Sequence, residues 1–437
     1  MQIVLLSGGS GKRLWPLSND VRSKQFIKIF KKEGGGYESM VQRVYRQICK
    51  VDANAKVTIA TSKSQVSAIH NQLGGAVGVS VEPCRRDTFP AIALATAYLH
   101  DVMGVGEEEA VVVCPVDPYV EDDYFAAIKQ LSDLAEKGTA NLTLMGIEPT
   151  YPSEKYGYII PEGKDSISAV RTFKEKPTEA VAKEYIAEGA LWNGGVFAYK
   201  LGYVLNRAHE LIDFIDYNDL FAKYDTLTKI SFDYAVVEHE EKIAVMRFKG
   251  QWKDLGTWNT LVEAMEEPTM GKAILNDQCE GVHVINELDV PVLCMGLKNV
   301  IVSASAEGIL VSDIEQSDAI KPFVDKIDQP IMFAEKSWGD YRVVDSQEGS
   351  LTVKLNVKAG AKMTYHSHES RKEVWTILSG EGAAFVDGKE ISLRSGDVLS
   401  IPENAKHTLV AKTDISLLEV QVGTIKVKDK SKFEFDF

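Results

Sequence analysis

The spacing of hydrophobic and polar positions divides the chain into three stretches. Residues 2–6 (QIVLL) form a continuous apolar run that stops at a glycine-rich turn, the pattern of a strand buried on both faces. Similar runs recur at 57–61 (VTIAT), 110–115 (AVVVCP) and 141–147 (NLTLMGI), and helix-like segments lie between them, as at Thr88 to Met103 and Asp123 to Glu136. This alternation predicts an α/β domain with a mostly parallel sheet over residues 1–265. Over 266–328 the helical period disappears and short β-rich runs (GVHVIN, VPVLCMG, NVIVSAS, GILVSD) predict a small β-helix-like connector. Residues 329–437 carry short strands at regular spacing, punctuated by VDGKE, RSGD and PENAK, and predict a small β-barrel or jelly roll.

Composition narrows the function classes. The 437 residues are 45% hydrophobic and 26% charged with a net charge of −14, and no long Lys/Arg block occurs, so a nucleic-acid partner is not expected. Five cysteines at 49, 84, 114, 279 and 294 are scattered, without a CxxC pair, and read as reduced thiols. The opening apolar run is too short for a signal-peptide core, and no stretch reaches the length of a membrane span. The expectation is a cytoplasmic protein with no membrane partner.

The first candidate site is the turn Ser7-Gly8-Gly9-Ser10-Gly11-Lys12-Arg13-Leu14-Trp15-Pro16, followed by Lys24-Gln25-Phe26. A glycine-rich turn after a first strand lets backbone N–H groups approach a phosphate. It is neither a Walker loop nor GxGxxG, so on its own a tight strand-to-helix turn explains it equally well. Further segments follow in order: Glu82-Pro83 with Arg86-Asp87-Thr88; Cys114-Pro115-Val116-Asp117; Gly146 to Thr150 with Tyr156-Gly157-Tyr158; Phe173 to Pro177; Trp192-Asn193-Gly194; Ser231 to Ala235; and Trp252-Lys253-Asp254 with Gly256. The ordered set resembles the mannose-1-phosphate guanylyltransferases, within the sugar-1-phosphate nucleotidyltransferases.

That resemblance implies a Rossmann-like nucleotidyltransferase fold. It also implies transfer of a nucleotidyl group from a nucleoside triphosphate (GTP) to a sugar-1-phosphate (mannose-1-phosphate), releasing pyrophosphate. Such a step asks the protein for positioning and charge neutralisation rather than covalent help. Asp117 and Asp254, each ending a strand-like run, are the candidate Mg²⁺ ligands, since two carboxylates with phosphate oxygens and water suit that ion. By resemblance, Arg13 and Lys24 contact the triphosphate, and Ser7, Gly8, Gly9, Gly11 and Glu82 surround the nucleotide, Glu82 accepting from the base. Gly157, Glu175, Lys176 and Asn193 would surround the sugar phosphate. Trp15, Trp192 and Trp258 are read as packing residues. The chain departs from the pattern at Asn19, Ser23, Asp87, Phe89 and Pro118, and these departures are expected to bear on base and sugar choice. CTP- or UTP-dependent transfer to another sugar phosphate stays open, as does a homodimer.

The second candidate site is Gly360…His366-Ser367-His368…Glu373…Gly380, with Gly396, Pro402 and His407 beyond. Five residues separate Gly360 from His366, four His368 from Glu373 and six Glu373 from Gly380, a spacing that resembles the cupin motifs. Histidines two apart on a strand share a face. With Glu373 and His407 they make a three-His, one-carboxylate set for Zn²⁺, Mn²⁺, Fe²⁺ or Ni²⁺. Many proteins of the resembled family carry a cupin with mannose-6-phosphate isomerase activity, and Lys336-Ser337-Trp338-Gly339 resembles the entry to that domain. Thr364, Glu369 and Val374 depart from its motif, and no base for proton transfer is evident, so transfer without isomerisation is the favoured expectation.

Overall fold

The computed structural model describes residues 1–9, 11–32, 34–425 and 429–434. Ser10 of the glycine-rich turn lies outside the described residues. The apolar runs become strands β1 (Gln2–Ser7), β2 (Lys56–Ser62), β3 (Gly78–Glu82), β4 (Ala110–Pro115) and β5 (Leu142–Ile147). With β6 (Tyr158–Pro161), β7 (Ile167–Lys174), β8 (Leu191–Lys200) and β9 (Ile243–Phe248) they form a nine-stranded sheet ordered β3-β2-β1-β4-β8-β5-β9-β7-β6. The four strands β3, β2, β1 and β4 are parallel, as are β5 and β9. Strand β8 enters antiparallel between β4 and β5, and β7 runs antiparallel to both of its neighbours. Direction is set by how a strand is connected, which its own residue pattern does not encode.

Alternate residues of the central strands face opposite layers. Ile3 and Leu5 enter one core cluster and Val4 the other; Val112 and Cys114 separate from Val111 and Val113 in the same way. Helix α1 (Met40–Val51) starts at a Ser39–Gln42 capping box and buries Met40, Val41, Val44 and Ile48 along one stripe. Helix α2 (Thr88–Ala97) is buried all round from Phe89 to Ala97, and Asp87 caps its first amide. Helix α3 (Asp122–Lys137) has two aspartates in its first turn and ends at Gly138, whose φ of 66° a residue with a Cβ adopts at a cost.

Beyond the sheet, strand Thr269–Met270 pairs in parallel with His283–Asn286, and Ala273–Leu275 with Val292–Cys294. His283–Asn286 pairs in parallel with Val300–Ser305, so successive segments stack as rungs. The last stretch forms two antiparallel sheets, of six and five strands, with Val353, Leu355, Trp375, Ala384, Leu393 and Leu409 packed between them. All five cysteines are free thiols. Among the described residues, no helix is long and apolar enough to cross a membrane.

The three stretches are joined by buried polar contacts. Glu307 Oε1 accepts from Asn19 Nδ2 at 2.7 Å and from the amides of Met332 and Phe333 at 3.0 Å. Arg22 makes two hydrogen bonds to Glu287, each 2.8 Å, and lies over the Phe333 ring. Asn19 therefore departs from the family pattern at a junction between stretches, and not at base or sugar recognition as expected from the sequence.

Candidate functional site

Three candidate residues stand at or just beyond the carboxyl ends of parallel strands: Ser7 on β1, Glu82 on β3 and Asp117 after β4. This is the edge where open α/β sheets receive ligands. Asp254 arrives from far along the chain through a short ribbon, Trp252–Asp254 paired antiparallel with Pro118–Val120. Asp254 lies opposite Pro118 in that register, next to Asp117. Lys24 Nζ then stands 2.9 Å from Asp117 Oδ2 and 3.2 Å from Asp254 Oδ1. Burial alone would lower the Lys24 pKa, but the two carboxylates outweigh it and the ammonium is held charged.

Around this triad is a cleft of about 340 Å³, lined by Gly8, Gly9, Arg13, Lys24, Asp117, Asp254, Gly256 and Lys321. Arg13 has no hydrogen-bond or ion-pair partner among the described residues. Ser7 Oγ accepts from Gln25 Nε2 at 2.9 Å, and Gln65 Nε2 donates to Ser23 Oγ at 2.7 Å, so a buried polar web holds the turn. Two facing carboxylates open to solvent form a donor set that fits a hard divalent cation.

A second cavity of about 530 Å³ shares Gly8, Gly9 and Asp117 with the first and extends to Glu82, Arg85, Gly195, Lys229 and Asp233. Burial raises the Glu82 pKa, and Tyr224 donates its hydroxyl to Glu82 Oε2 at 2.8 Å. Asn193 sits where β8 shifts register, and its Nδ2 donates to Asp233 Oδ1 at 2.7 Å. The Asn193 amide donates to the Gly157 carbonyl at 2.8 Å. A Cβ on Gly157 would come within 2.5 Å of Glu175 Oε2, so only glycine admits the carboxylate there. Glu175 is paired with Lys176, whose φ of 41° is uncommon for a residue with a Cβ. Gly157, Glu175, Lys176 and Asn193 thus form one group, linked to the cavity through Asp233. Trp192 and Trp258 are buried, and Trp258 Nε1 donates to the Trp15 carbonyl at 3.2 Å, in keeping with packing roles.

The C-terminal residues also converge. His366 and His368 share strand His366–His368, Glu373 lies on Arg371–Ser379, and His407 opens His407–Ala411 directly opposite His366. All four are buried, and their ligand atoms lie within 4.8 Å of one another. Each histidine Nδ1 faces a backbone carbonyl: Thr364 at 2.7 Å, Asp429 at 3.2 Å and Ala405 at 2.9 Å. A carbonyl only accepts, so each Nδ1 carries a hydrogen and Nε2 is the atom each ring turns inward; Arg371 Nη2 also lies 3.0 Å from His368 Nε2. Burial keeps His366 neutral, its pKa lowered to about 2. Glu373 Oε1 and His407 Nε2 are buried with no hydrogen bond of good geometry, although His368 Nε2 lies 3.1 Å from Glu373 Oε1 and His407 Nε2 lies 3.3 Å from Glu373 Oε2. Orphaned acceptors gathered around one point fit a cation.

Several residues of these sites carry no sequence motif or, like Asp233 within the Ser231 to Ala235 segment, no role that the motif alone reveals. Lys321 and Gln65 reach the first cleft and its supporting web, and Asp233 the second cavity; Asp233 is pushed up to about 6 by burial and by Glu175. Beside the histidines, burial raises Glu419 to about 7 and lowers Lys430 to about 8. Apart from Asp233, each lies in a segment whose pattern reads as ordinary strand, helix or loop.

The chain is similar to known proteins along most of its length. A profile described as "Nucleotidyl transferase" matches residues 2–270, and one described as "Mannose-6-phosphate isomerase C-terminal" matches 329–434. The mannose-1-phosphate guanylyltransferase of Salmonella muenchen is 29% identical, covering 98% of this chain and 96% of its own. The xanthan biosynthesis protein XanB of Xanthomonas campestris pv. campestris is 28% identical with the same coverage. A crystal structure described as mannose-1-phosphate geranyltransferase from Thermus thermophilus superimposes with a TM-score of 0.62 at 26% identity, covering 74% of this chain and 98% of that one.

Proposed function

We propose that this chain, which belongs to the nucleotidyl transferase family, forms GDP-mannose from GTP and mannose-1-phosphate with release of pyrophosphate. The observation that carries the reading is Lys24 held between Asp117 and Asp254 in a cleft walled by Gly8, Gly9 and Arg13. In the reaction a phosphate oxygen of the sugar phosphate bonds to the α-phosphorus as the bond to the pyrophosphate oxygen breaks. Arg13 and Lys24 hold the triphosphate and balance the charge that develops on the departing pyrophosphate. Ser7, Gly8, Gly9 and Gly11 bring backbone close to the nucleotide, and the free oxygen of Glu82 accepts from the base. Glu175 and Asn193 orient the sugar hydroxyls, and Lys176 meets the sugar phosphate. Asp117 and Asp254 hold Mg²⁺, which supplies charge neutralisation at the phosphates when bound. The working division of the chain is a transferase domain over 1–265, a connector over 266–328 and a cupin domain over 329–437. Four nucleoside triphosphates tested against several sugar-1-phosphates, read by pyrophosphate release, check the assignment. Preference for a pair other than GTP and mannose-1-phosphate would overturn it.

A second reading concerns the C-terminal domain and rests on the buried four-donor cluster. His366, His368, Glu373 and His407 hold one divalent transition metal, because imidazole ligands favour such an ion over Mg²⁺. A metal there would polarise a sugar carbonyl, the need of aldose–ketose isomerisation between fructose-6-phosphate and mannose-6-phosphate. The groups beside it that can carry a proton are Glu419 and Lys430. Metal-loaded protein incubated with fructose-6-phosphate tests this: no mannose-6-phosphate would leave the cluster a structural metal site.

A further inference from the structure

We infer that Lys321, from the connector, is a third cationic contact for the pyrophosphate portion of the triphosphate, so that the transferase site is completed by a residue outside the transferase domain. The inference rests on the proposed nucleotidyl transfer and extends it to the leaving group.

Lys321 lines the same cleft as Gly8, Gly9, Arg13, Lys24 and the two aspartates. Its backbone is anchored on both sides. Ile320 is buried in the core of the transferase domain, and Asp325 pairs with Lys12 of the glycine-rich turn at 3.1 Å. The short helix Lys321–Val324 therefore sits against that turn.

The cations of the cleft are not equivalent. Lys24 is ion-paired with Asp117 and Asp254, and Lys12 on the adjoining turn with Asp325 and Asp20. Lys321, like Arg13, has no ion-pair partner among the described residues. Two uncompensated cations facing a cleft that also holds a carboxylate pair match a ligand with a metal-bridged part and a further anionic end. A triphosphate, or the pyrophosphate it releases, has that charge distribution; a sugar monophosphate does not. Lysine supplies a point charge that suits non-bridging phosphate oxygens.

The test is direct binding of inorganic pyrophosphate with Mg²⁺ to the full chain by calorimetry, alongside steady-state kinetics. Lys321→Ala should weaken pyrophosphate binding about tenfold, the loss of one charge-assisted hydrogen bond. It should raise KM for the triphosphate to a similar degree and leave KM for the sugar-1-phosphate unchanged. Lys321→Arg should restore most of the affinity. Lys326→Ala, which removes an exposed charge further along the same segment, should bind like wild type. Wild-type pyrophosphate affinity in Lys321→Ala would overturn the inference, as would an equal loss in Lys326→Ala, which would mean a diffuse field. Because pyrophosphate binding needs no knowledge of base or sugar, it separates failure of this inference from failure of the GTP and mannose assignment.

Discussion

The side-chain amide of Asn19 donates to Glu307 Oε1 across 2.7 Å, joining the first domain to the connector inside a buried contact. The same oxygen accepts the amides of Met332 and Phe333, so one carboxylate ties together three stretches that are far apart in sequence. Glu307→Ala would take this acceptor from all three donors, leaving Asn19 Nδ2 with only the Phe333 carbonyl at 2.9 Å and the two half-buried amides unpaired. The expected cost is about 2–4 kcal/mol, read as a lower urea midpoint and as separate unfolding of the C-terminal domain. An unchanged, single transition would show that the apolar contacts alone couple the stretches.

Asp117→Asn and Asp254→Asn should each reduce turnover by about a hundredfold or more, because both are asked to hold Mg²⁺ against the phosphates. Chelation should abolish transfer in the wild type, and added Mg²⁺ should restore it. Pyrophosphate release at limiting Mg²⁺ is the measurement; near-normal rates in both variants would remove the two aspartates from the metal site.

Asp233 gives a pH signature. Unfolded, its carboxyl titrates near 3.8; folded, burial first and Glu175 second push it up to about 6. Between those values the folded protein binds more protons than the unfolded chain, so this group's contribution to stability declines as pH rises through the window. Asp233→Asn keeps an acceptor for Asn193 and removes the charge. The variant should match wild type near pH ~4 and exceed it above pH ~6 by up to about 3 kcal/mol. Urea unfolding at several pH values checks this, and a wild-type advantage at neutral pH would mean that Lys176 stabilises the charged form instead.

The C-terminal cluster should retain about one equivalent of a divalent transition metal through purification, measured by elemental analysis. His366→Ala combined with His368→Ala should lose it while GTP-dependent pyrophosphate release persists, since the residues assigned to that chemistry lie in other elements. Loss of both together would mean that the two sites are coupled.

What the sequence by itself determined is local. The apolar runs mark β1, β2, β4 and β5 because a strand buried on both faces must be apolar throughout, and the Ser39–Gln42 and Asp87 caps lie beside the residues they serve. The glycine-rich turn and the His-x-His pair were legible for the same reason: their chemistry depends on neighbours a few residues away. Tertiary structure decided whatever depends on residues distant in the chain. The ribbon from Pro118 to Asp254 brings the second aspartate beside the first, and backbone pairing sets His407 opposite His366. Lys321 has no local pattern that sets it apart from an ordinary helix residue, and Asp233, though inside the Ser231 to Ala235 segment, has no role legible from that segment alone. Each reaches its cleft because a buried neighbour, Phe232 or Ile320, fixes the backbone from below. Solvent exposure and charge compensation are properties of that packing, so a free cation and a paired one have the same letter in the sequence.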